Sequence, residues 1–420
     1  MPHTLIIDFG ATYIKSKVIS DFDSSKNSKF VTKGSAFQGT KFRPDFFSKS
    51  LKFHVKNAKK KYKISNIIIC CEMHGFLYKT GANYSDYYSW RYSTEFDTKT
   101  IKELKTEAWY QNLNIFPRPG LPITNLISMT NKNDLPKRLK ILFIPQFICE
   151  DLGYSTNNVH PTLGQASGLY SNEKNLSEIV NIDVTLPKMS RNDFNLLGEI
   201  KFNQDTIPVY GGYGDLQTSL YDIKKNSWNI NLGTGSQIAI ITEKKLKNFE
   251  IRAGFKNKNL QCVSHIPAGR SLDLLADFFK SIREEDNVDF FWEKIKNIEF
   301  KKEYMQNKQI KIDLNFFRQN RFYSKGGFFK NITETNFNHD LFFYNIIFSM
   351  AYNFYKIIKL SKSMKDKLDI NIYGSLEKKI PIFKNVLKYL TKSEVKTRND
   401  LDDPTLINLE KIYLDNYNSL

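Results

Sequence analysis

The chain has 420 residues, of which 41% are hydrophobic and 14% aromatic. At about 150 residues per domain, this length predicts two or three domains, and the composition excludes both a disulfide-stapled miniprotein and a globally disordered chain. The 62 basic and 44 acidic residues give a formal net charge of +18. The lysines are scattered, and their densest cluster, 56–63, is typical of one solvated helix face. We therefore expect no specific nucleic-acid partner.

The cysteines and the apolar stretches indicate a cytoplasmic, non-membrane protein. The four cysteines show no CxxC spacing, and two of them are adjacent in an apolar run, so we interpret them as reduced core residues. They are Cys70, Cys71, Cys149 and Cys262. The N-terminus leads directly into a strand pattern, which predicts no signal peptide. Polar residues interrupt the longest apolar stretch, 341–355, at four-residue intervals, which favours an amphipathic helix over a membrane span.

The first part of the chain alternates strands with turns and a helix, which predicts a mixed α/β domain. The predicted elements are the strands Leu5–Asp8, Tyr13–Ile19 and Phe30–Lys33, a helix over Pro44–Lys63 and a buried strand over Ile64–Cys71. The middle, 85–205, is less periodic, with predicted helices over Thr98–Gln111 and Pro145–Leu152. We interpret this middle part as an insertion that elaborates a binding cleft.

The opening pattern returns in the second half of the chain. Both Leu5–Lys15 and Trp228–Ile241 show an apolar strand, Asp or Asn, one residue, Gly, small or hydroxyl residues, and a second strand. This weak repeat predicts a duplicated domain with one hairpin turn per copy at a shared cleft. The polar segment Lys224–Ser227 marks the boundary, which gives domains 1–222 and 223–420. The later predicted elements are the helices Ser271–Ile282, Asn336–Leu360, Pro381–Leu390 and Pro404–Leu414 and the strands Leu368–Tyr373 and Glu394–Thr397.

The first hairpin, Asp8–Lys15, has residues suited to binding phosphate. Gly10 allows backbone to approach a ligand, Thr12 offers a hydroxyl and an amide, and Lys15 supplies a positive charge. Asp8 is a candidate ligand of Mg²⁺, directly or through water. The alternative is a plain hairpin turn with a capping Asp.

Two further segments follow predicted strands. Glu72-Met73-His74-Gly75 ends a buried strand, where open α/β sheets place ligand sites. Judged from the strand alone, His74 is more typical of a satisfied core or loop histidine. Asp215 follows the glycine-rich turn 211–214, where a carboxylate can take a proton from a substrate hydroxyl or can cap a helix. The six histidines show no paired metal-binding spacing.

With these motifs in order, the chain resembles the FGGY carbohydrate kinases, which belong to the actin-like ATPase superfamily and have two RNase H-like domains. Asp8–Lys15 looks like the first phosphate motif of the family, Glu72–Gly75 like its sugar-contacting Gln-Met-His-Gly, and Asp215 like its catalytic base. Asn231–Gly235 looks like the second phosphate motif. The segments 266–270 and 373–375 fall where the family wraps the nucleotide.

Other segments are most similar to the sedoheptulokinase branch. They are Gly214–Gln217 followed by Asn231–Gln237, His160-Pro161 before Ala166–Tyr170, and Tyr323–Gly327 before Ile332-Thr333. The chain departs from the family in three places. Trp90-Arg91-Tyr92-Ser93-Thr94 lacks the Asp and Arg of the usual Trp-x-Asp-x-Arg, Glu72 replaces Gln, and Gly374-Ser375 replaces a double glycine. The first departure leaves the identity of the sugar open.

The resemblance implies an ATP- and Mg²⁺-dependent kinase that phosphorylates a primary hydroxyl of a sedoheptulose-like ketose. The implied sugar-binding residues are Met73, His74, Trp90 and Asp215, and those implied for ATP are Gly10, Thr12, Lys15, Gly233, Thr234, Gly235, Gly269 and Gly374. The first domain would bind the sugar and the second domain the nucleotide. Whether the protein forms a homodimer is left open. The alternatives are a kinase for xylulose, ribulose or glycerol and a degenerate sugar or nucleotide sensor. Retention of Asp8, Lys15 and Asp215 argues against the sensor.

Overall fold

A computed structural model describes residues 2–20, 31–35, 39–284, 287–306, 310–318, 325–361, 368–398 and 403–417. Up to residue 222 its strands are β1 (Pro2–Phe9), β2 (Tyr13–Ser20), β3 (Val31–Ser35), β4 (Lys41–Phe42), β5 (Lys63–Cys71), β6 (Leu77–Thr80), β7 (Asn83–Tyr84), β8 (Tyr87–Tyr88), β9 (Arg138–Leu142), β10 (Gly153–Ser155), β11 (Asn158–Val159), β12 (Asp183–Thr185), β13 (Lys188–Met189), β14 (Leu196–Phe202) and β15 (Asp205–Gly214). The helices of this part are α1 (Asp45–Lys59), α2 (Asp97–Thr106), α3 (Ala108–Gln111), α4 (Pro122–Asn131), α5 (Ile144–Leu152), α6 (Pro161–Gly164), α7 (Leu176–Val180) and α8 (Asp215–Ser219).

The rest of the chain continues in the same mixed style. Its strands are β16 (Trp228–Asn231), β17 (Ser236–Ile241), β18 (Glu250–Ala253), β19 (Asn259–Ile266), β20 (Lys311–Asp313), β21 (Phe328–Lys330), β22 (Ile370–Tyr373) and β23 (Val395–Thr397). Its helices are α9 (Gly269–Arg283), α10 (Asp289–Lys296), α11 (Lys302–Gln306), α12 (His339–Leu360), α13 (Ile382–Thr391) and α14 (Pro404–Tyr417). No helix in the described ranges has the length and apolarity needed to cross a bilayer.

The chain divides into two compact units. Unit 1 comprises Met1–Asp222, Ile251–Asn259 and Asp403–Leu420, and unit 2 comprises Ile223–Glu250 and Leu260–Asp402. The sequence pattern predicted two continuous domains, 1–222 and 223–420. In the structure the first break follows Asp222, and two later segments, 251–259 and 403–420, belong to unit 1. Hydrophobic periodicity predicts that α14 is a helix but carries no information about the sheet on which it packs.

Unit 1 is built on a seven-stranded sheet in the order β10-β14-β15-β5-β1-β2-β3. β1 is antiparallel to β2 and parallel to β5, which is in turn parallel to β15. The carboxyl ends of β1, β5 and β15 therefore lie at one edge of the sheet, where open α/β sheets bind ligands. The motifs around Asp8, Glu72 and Asp215 follow these three strands.

Alternate residues of the central strands point to opposite faces of this sheet. Leu5, Ile7 and Phe9 face a core that includes Leu51 and Val55 of α1. Ile6, Ile68 and Cys70 face a second core, which α14 completes with Leu406, Leu409, Ile412 and Tyr413. Asp8 has the parity of Ile6, so it lies on the α14 face.

Unit 2 repeats part of this arrangement. Its main sheet runs β19-β17-β16-β22-β23, with β16 antiparallel to β17 and parallel to β22. The pair β16–β17 thus corresponds to β1–β2, as the internal repeat in the sequence predicted. The core of unit 2 packs α12 and α13 on this sheet through Phe354 and Phe383, whose ring centroids are 5.7 Å apart.

Several predicted elements differ from the structure. The helix predicted over Thr98–Gln111 is two helices, because Glu107 between them has an extended backbone with ψ 118°. The predicted insertion 85–205 is interrupted, since β10 and β14 join the main sheet. Phe30, Tyr323 and Ser324 lie outside the described residues. All four cysteines are buried and free, which confirms the prediction of reduced core thiols.

Candidate functional site

The first hairpin brings Asp8 and Lys15 together because they are direct cross-strand partners in the β1–β2 register. Asp8 is buried, and its Oδ1 has no hydrogen-bond partner among the described residues. Burial raises the pKa of Asp8 well above 3.8, the nearby charges of Asp403 and Asp215 raise it further, and Lys15 lowers it. At this position a carboxylate is stabilised by a cation, which makes Asp8 a suitable ligand for a metal ion.

Lys15 has an acidic partner that the sequence did not predict. Its Nζ lies 2.5 Å from Oδ2 of Asp403. The other carboxylate oxygen of Asp403 accepts hydrogen bonds from the amides of Thr405 and Leu406, both at 3.1 Å, so Asp403 also caps α14. One aspartate thus links the hairpin to the returning C-terminal helix.

Asp215 begins α8 directly after β15. Its Oδ1 accepts a hydrogen bond of 2.8 Å from the Leu216 amide, and the residue as a whole is partly exposed. Burial raises the pKa of Asp215 from 3.8 to about 6, although that amide and the charge of Arg252 lower it. A carboxylate with a pKa near 6 is ionised at neutral pH and is basic enough to accept a proton from a hydroxyl.

The segment 72–74 lies beside the hairpin, because the Glu72 amide donates a hydrogen bond of 2.9 Å to the Phe9 carbonyl. Glu72 is buried, accepts a hydrogen bond from the Tyr87 hydroxyl at 2.9 Å, and lies 3.9 Å from Nη1 of Arg91. Burial raises the pKa of Glu72 from 4.5 to about 7, while Arg91 and Tyr87 lower it. Near neutral pH this carboxyl therefore exchanges between its neutral and charged forms.

Both ring nitrogens of His74 contact the protein. Nδ1 lies 3.0 Å from the Ala166 carbonyl oxygen and Nε2 lies 3.1 Å from Nη2 of Arg118. Since a carbonyl only accepts and a guanidinium only donates, these contacts assign the neutral tautomer with its proton on Nδ1. His74 also has a positive φ of 66°, a conformation uncommon for residues with a side chain. Arg118 therefore orients His74.

Trp90 and Arg91 reach the same region from the loop after β8. The Arg91 guanidinium stacks 4.4 Å from the centroid of the Trp90 ring, and its Nη2 donates a hydrogen bond of 3.0 Å to the Ala11 carbonyl in the hairpin turn. The guanidinium thus covers one face of the indole. An arginine that links the tryptophan loop to the first turn was not expected from the sequence.

In unit 2, the predicted nucleotide residues gather at one edge of the sheet. The amides of Gly269 and Arg270, at the start of α9, donate hydrogen bonds to the carbonyls of Gly233 and Thr234 at 3.1 and 2.9 Å. The Leu232 amide, in turn, donates a hydrogen bond of 2.7 Å to the Tyr373 carbonyl, directly before Gly374. The turn 233–235, the start of α9 and the end of β22 are therefore neighbours.

The glycines of this cluster differ in the space that a side chain would have at each position. A Cβ on Gly374 would lie 2.4 Å from the Leu232 carbonyl oxygen, and its φ is 111°, so the fold itself requires glycine there. At Gly269 a Cβ would lie 2.7 Å from the Gly233 oxygen. At Gly233 the nearest atom would be 3.6 Å away, and at Gly235 no described atom lies within 4 Å. Space at Gly233 and Gly235 is compatible with close approach of a ligand.

The described residues contain no group of three or more His, Cys, Asp or Glu side chains placed to hold a metal ion. Mg²⁺ in kinases is commonly held by one or two carboxylates together with phosphate oxygens and water. The buried Asp8 with its unpaired Oδ1 fits that mode of binding. The residues of unit 1 therefore fit Mg²⁺ that arrives with a phosphate ligand.

Comparison with solved structures identifies the fold. The chain is similar to xylulose kinase from Lactobacillus acidophilus, at 14% identity and a TM-score of 0.78, over 98% of this chain and 89% of that one. It is also similar to gluconate kinase from the same organism, at 14% identity, a TM-score of 0.77 and the same coverage. A third similar structure is Plasmodium falciparum glycerol kinase with ADP, at 12% identity and a TM-score of 0.73, over 99% and 90% of the two chains.

At the level of sequence, no protein-family model and no curated protein matches the chain. Identities of 12–14% leave the fold as the property that these comparisons establish. The chain has the two-domain α/β fold, of actin-like ATPase architecture, that these carbohydrate kinases share.

Proposed function

We propose that the protein is an ATP- and Mg²⁺-dependent kinase that transfers a phosphoryl group to a hydroxyl of a sugar or polyol. The observation that carries this proposal is the position of Asp215. This partly exposed residue, whose carboxyl has a pKa of about 6, lies directly after β15 and beside the hairpin of Asp8 and Lys15. Phosphoryl transfer needs mainly positioning and charge stabilisation, and a base of this pKa can take the proton of the attacking hydroxyl.

The remaining roles follow from the two clusters. In unit 2, the turn 233–235 and the neighbouring glycines would hold the phosphates of ATP, through backbone amides that approach closely where no side chain intervenes. In unit 1, Gly10, Thr12 and Lys15 would contact the transferred phosphate, and Asp8 would hold Mg²⁺. The bound metal would supply charge neutralisation of the phosphate oxygens.

The acceptor would bind at the segment 72–74 and Trp90. Met73 and His74 are buried shortly after the end of β5, and Arg118 orients the imidazole. We favour a ketose with a primary hydroxyl, with sedoheptulose-like sugars first, on the motifs Gly214–Gln217 and Asn231–Gln237. Xylulose, ribulose and glycerol are the alternatives. Sugar acids are also tested. The guanidinium groups of Arg91 and Arg118, which lie beside Glu72 and His74, would attract a carboxylate.

The test is a screen of ketoses, polyols and sugar acids, with ATP and Mg²⁺, for ADP release and for a phosphorylated product by ³¹P NMR. We expect turnover with one group of related acceptors, loss of turnover when Mg²⁺ is chelated, and loss of turnover in Asp215→Asn. Release of ADP without a phosphorylated product would indicate ATP hydrolysis only. Stabilisation of the protein by a sugar without any turnover would support the sensor, and would refute the kinase.

We also propose that the protein acts in the cytoplasm, where ATP and reduced thiols are both present. The four buried free cysteines agree with a reducing compartment.

A further inference from the structure

A run of polar groups, formed by Asp193, His160 and Thr162, leads to the backbone amide of Gly214, directly before Asp215. Oγ1 of Thr162 accepts a hydrogen bond of 3.1 Å from the Gly214 amide and lies 2.8 Å from Nδ1 of His160. On the other side of the imidazole, Nε2 lies 3.6 Å from Oδ1 of Asp193. His160 and Thr162 are both completely buried.

The donors in this run fix the direction of every hydrogen bond. The Thr162 amide donates to Nδ1 of His160 at 3.3 Å, so Nδ1 is an acceptor and the imidazole proton is on Nε2, facing Asp193. The Thr162 hydroxyl then donates to Nδ1 and accepts from the Gly214 amide. Burial lowers the pKa of His160, which favours the neutral form that this pattern needs.

The imidazole is held rigidly at the centre of this run. Its ring packs edge-on against Tyr213, with centroids 4.8 Å apart, and stacks on Phe255 at 5.3 Å. Asp193 is fixed in turn by the amide of Lys256, which donates a hydrogen bond of 2.6 Å to Oδ2. The returning segment 251–259 therefore anchors the far end of the run.

Thr162 also holds the next turn of the chain. Its carbonyl accepts a hydrogen bond of 3.1 Å from Nε2 of Gln217, which also donates to the Ala253 carbonyl at 3.2 Å. Gly214 and Gln217 bracket Asp215, so Thr162 contacts the backbone before Asp215 and a side chain after it. Close packing adds to this restraint, because a Cβ on Gly214 would lie 3.0 Å from the Thr162 carbonyl oxygen.

We propose that Thr162 and His160 are positioning residues that set the location of the Asp215 carboxylate for proton transfer. This inference rests on the proposed function, in which Asp215 is the base. A base acts only within hydrogen-bond reach of its proton, and a displacement of about 1 Å lowers the rate by about a hundredfold. The side chain of Asp215 is bonded to its own helix, so its location follows the backbone at Gly214.

The experiment compares Thr162→Val with Thr162→Ser. Valine has nearly the shape of threonine but leaves the Gly214 amide and Nδ1 of His160 without the hydroxyl, whereas serine keeps it. The control is Thr100→Val, since Thr100 is also completely buried in unit 1 and its hydroxyl bonds one side chain, Ser128, at 3.0 Å. Thr100→Val reports the general effect of losing a buried hydroxyl.

Two readouts are measured for each variant: hydrogen exchange of the amides at 214–217, and steady-state turnover with the best acceptor from the screen. We expect faster exchange at Gly214 and a fall in kcat of about 10- to 100-fold in Thr162→Val, with KM for ATP changed by less than about threefold. Thr162→Ser restores both values, and Thr100→Val changes neither. In an Asp215→Asn background, Thr162→Val causes no further loss of kcat.

The outcomes separate this inference from the proposed function. Unchanged exchange at 214–217 in Thr162→Val would overturn the positioning role, whether or not the protein is a kinase. Faster exchange with parental kcat, or an equal further loss of kcat in the Asp215→Asn background, would also overturn it. Absence of turnover in the parent would instead refute the kinase, and the positioning of Asp215 would then be decided by the exchange data alone.

Discussion

Replacement of Asp215 by Asn is expected to lower activity and to raise stability at the same time. The amide has the shape of the carboxylate and can accept the hydrogen bond of the Leu216 amide, but it is not basic. A positioned general base contributes about 10²- to 10⁴-fold, so kcat should fall by that factor while ATP affinity stays nearly unchanged. A residue that only capped α8 would tolerate the change, because Asn caps about as well as Asp.

The gain in stability follows from the raised pKa. Well below pH 3.8 the carboxyl is neutral in both the folded and the unfolded chain, so it does not change the free energy of unfolding. As the pH rises to about 6, the unfolded chain ionises first, so the folded state loses relative stability, and above pH 6 the loss is complete. The rise from 3.8 to about 6 corresponds to about 3 kcal/mol, and partial exposure reduces the expected gain in stability to about 1–2 kcal/mol.

The assay is chemical denaturation of parent and Asp215→Asn between pH 4 and 8, together with kcat over the same range. We expect the variant to be clearly more stable at pH 7 and to be within about 0.6 kcal/mol of the parent at pH 4, and the kcat of the parent to fall to about a tenth at pH 5. Asp415→Asn is the matched control, because Tyr221 and Lys256 lower the pKa of Asp415, so the same change should destabilise at neutral pH. A variant with near-parental kcat, or with no gain in stability at pH 7, would refute this reasoning.

Three further outcomes are expected. Gly233→Val should weaken ATP binding at least tenfold by isothermal titration while Tm stays nearly constant, because its Cβ meets no atom closer than 3.6 Å; unchanged binding would exclude this turn as a phosphate loop. Glu72→Gln should raise Tm at pH 8 but not at pH 4, because burial raises the pKa of this carboxyl to about 7; an equal change in Tm at both pH values would contradict a buried, titrating Glu72. Asp403→Asn keeps the helix cap but loses the charge that faces Lys15, so it should change KM for ATP more than Glu410→Gln does. Glu410→Gln is the control, because it removes the ion pair of Glu410 with Lys17, which has the same length of 2.5 Å and joins the same strand to the same helix. Equal effects of the two changes would assign Asp403 a structural role only.

The sequence predicted those features that depend on short segments. The hairpins β1–β2 and β16–β17, the strand that ends at Cys71 and the start of α8 at Asp215 each have their determining residues within about ten positions. Strand periodicity and the glycine after each strand mark these turns without knowledge of the rest of the fold. The predicted residues of each phosphate motif therefore lie together in their own unit.

The polar partners around these motifs were not predicted, because they come from distant parts of the chain. Arg118 contacts His74 from 44 positions away, and Lys15 pairs with Asp403 across 388 positions. Arg252 reaches the sulfur of Met73, 4.0 Å from its Nη1, only because segment 251–259 returns to unit 1. The Asp-Pro at 403–404 is a sequence signal for a helix start, but it gives no indication of the strand on which the helix packs.

The structure also separates glycines that look alike in the sequence. Gly374 and Gly269 are required by backbone contacts of 2.4 and 2.7 Å, so their presence is explained by the fold alone. Gly233 and Gly235 have room for a side chain, and neither has a positive φ. The fold does not require glycine at these two positions, so close approach of a ligand to the backbone is the better explanation for the two glycines. The turn 233–235 is therefore the part of unit 2 where nucleotide binding should be tested first.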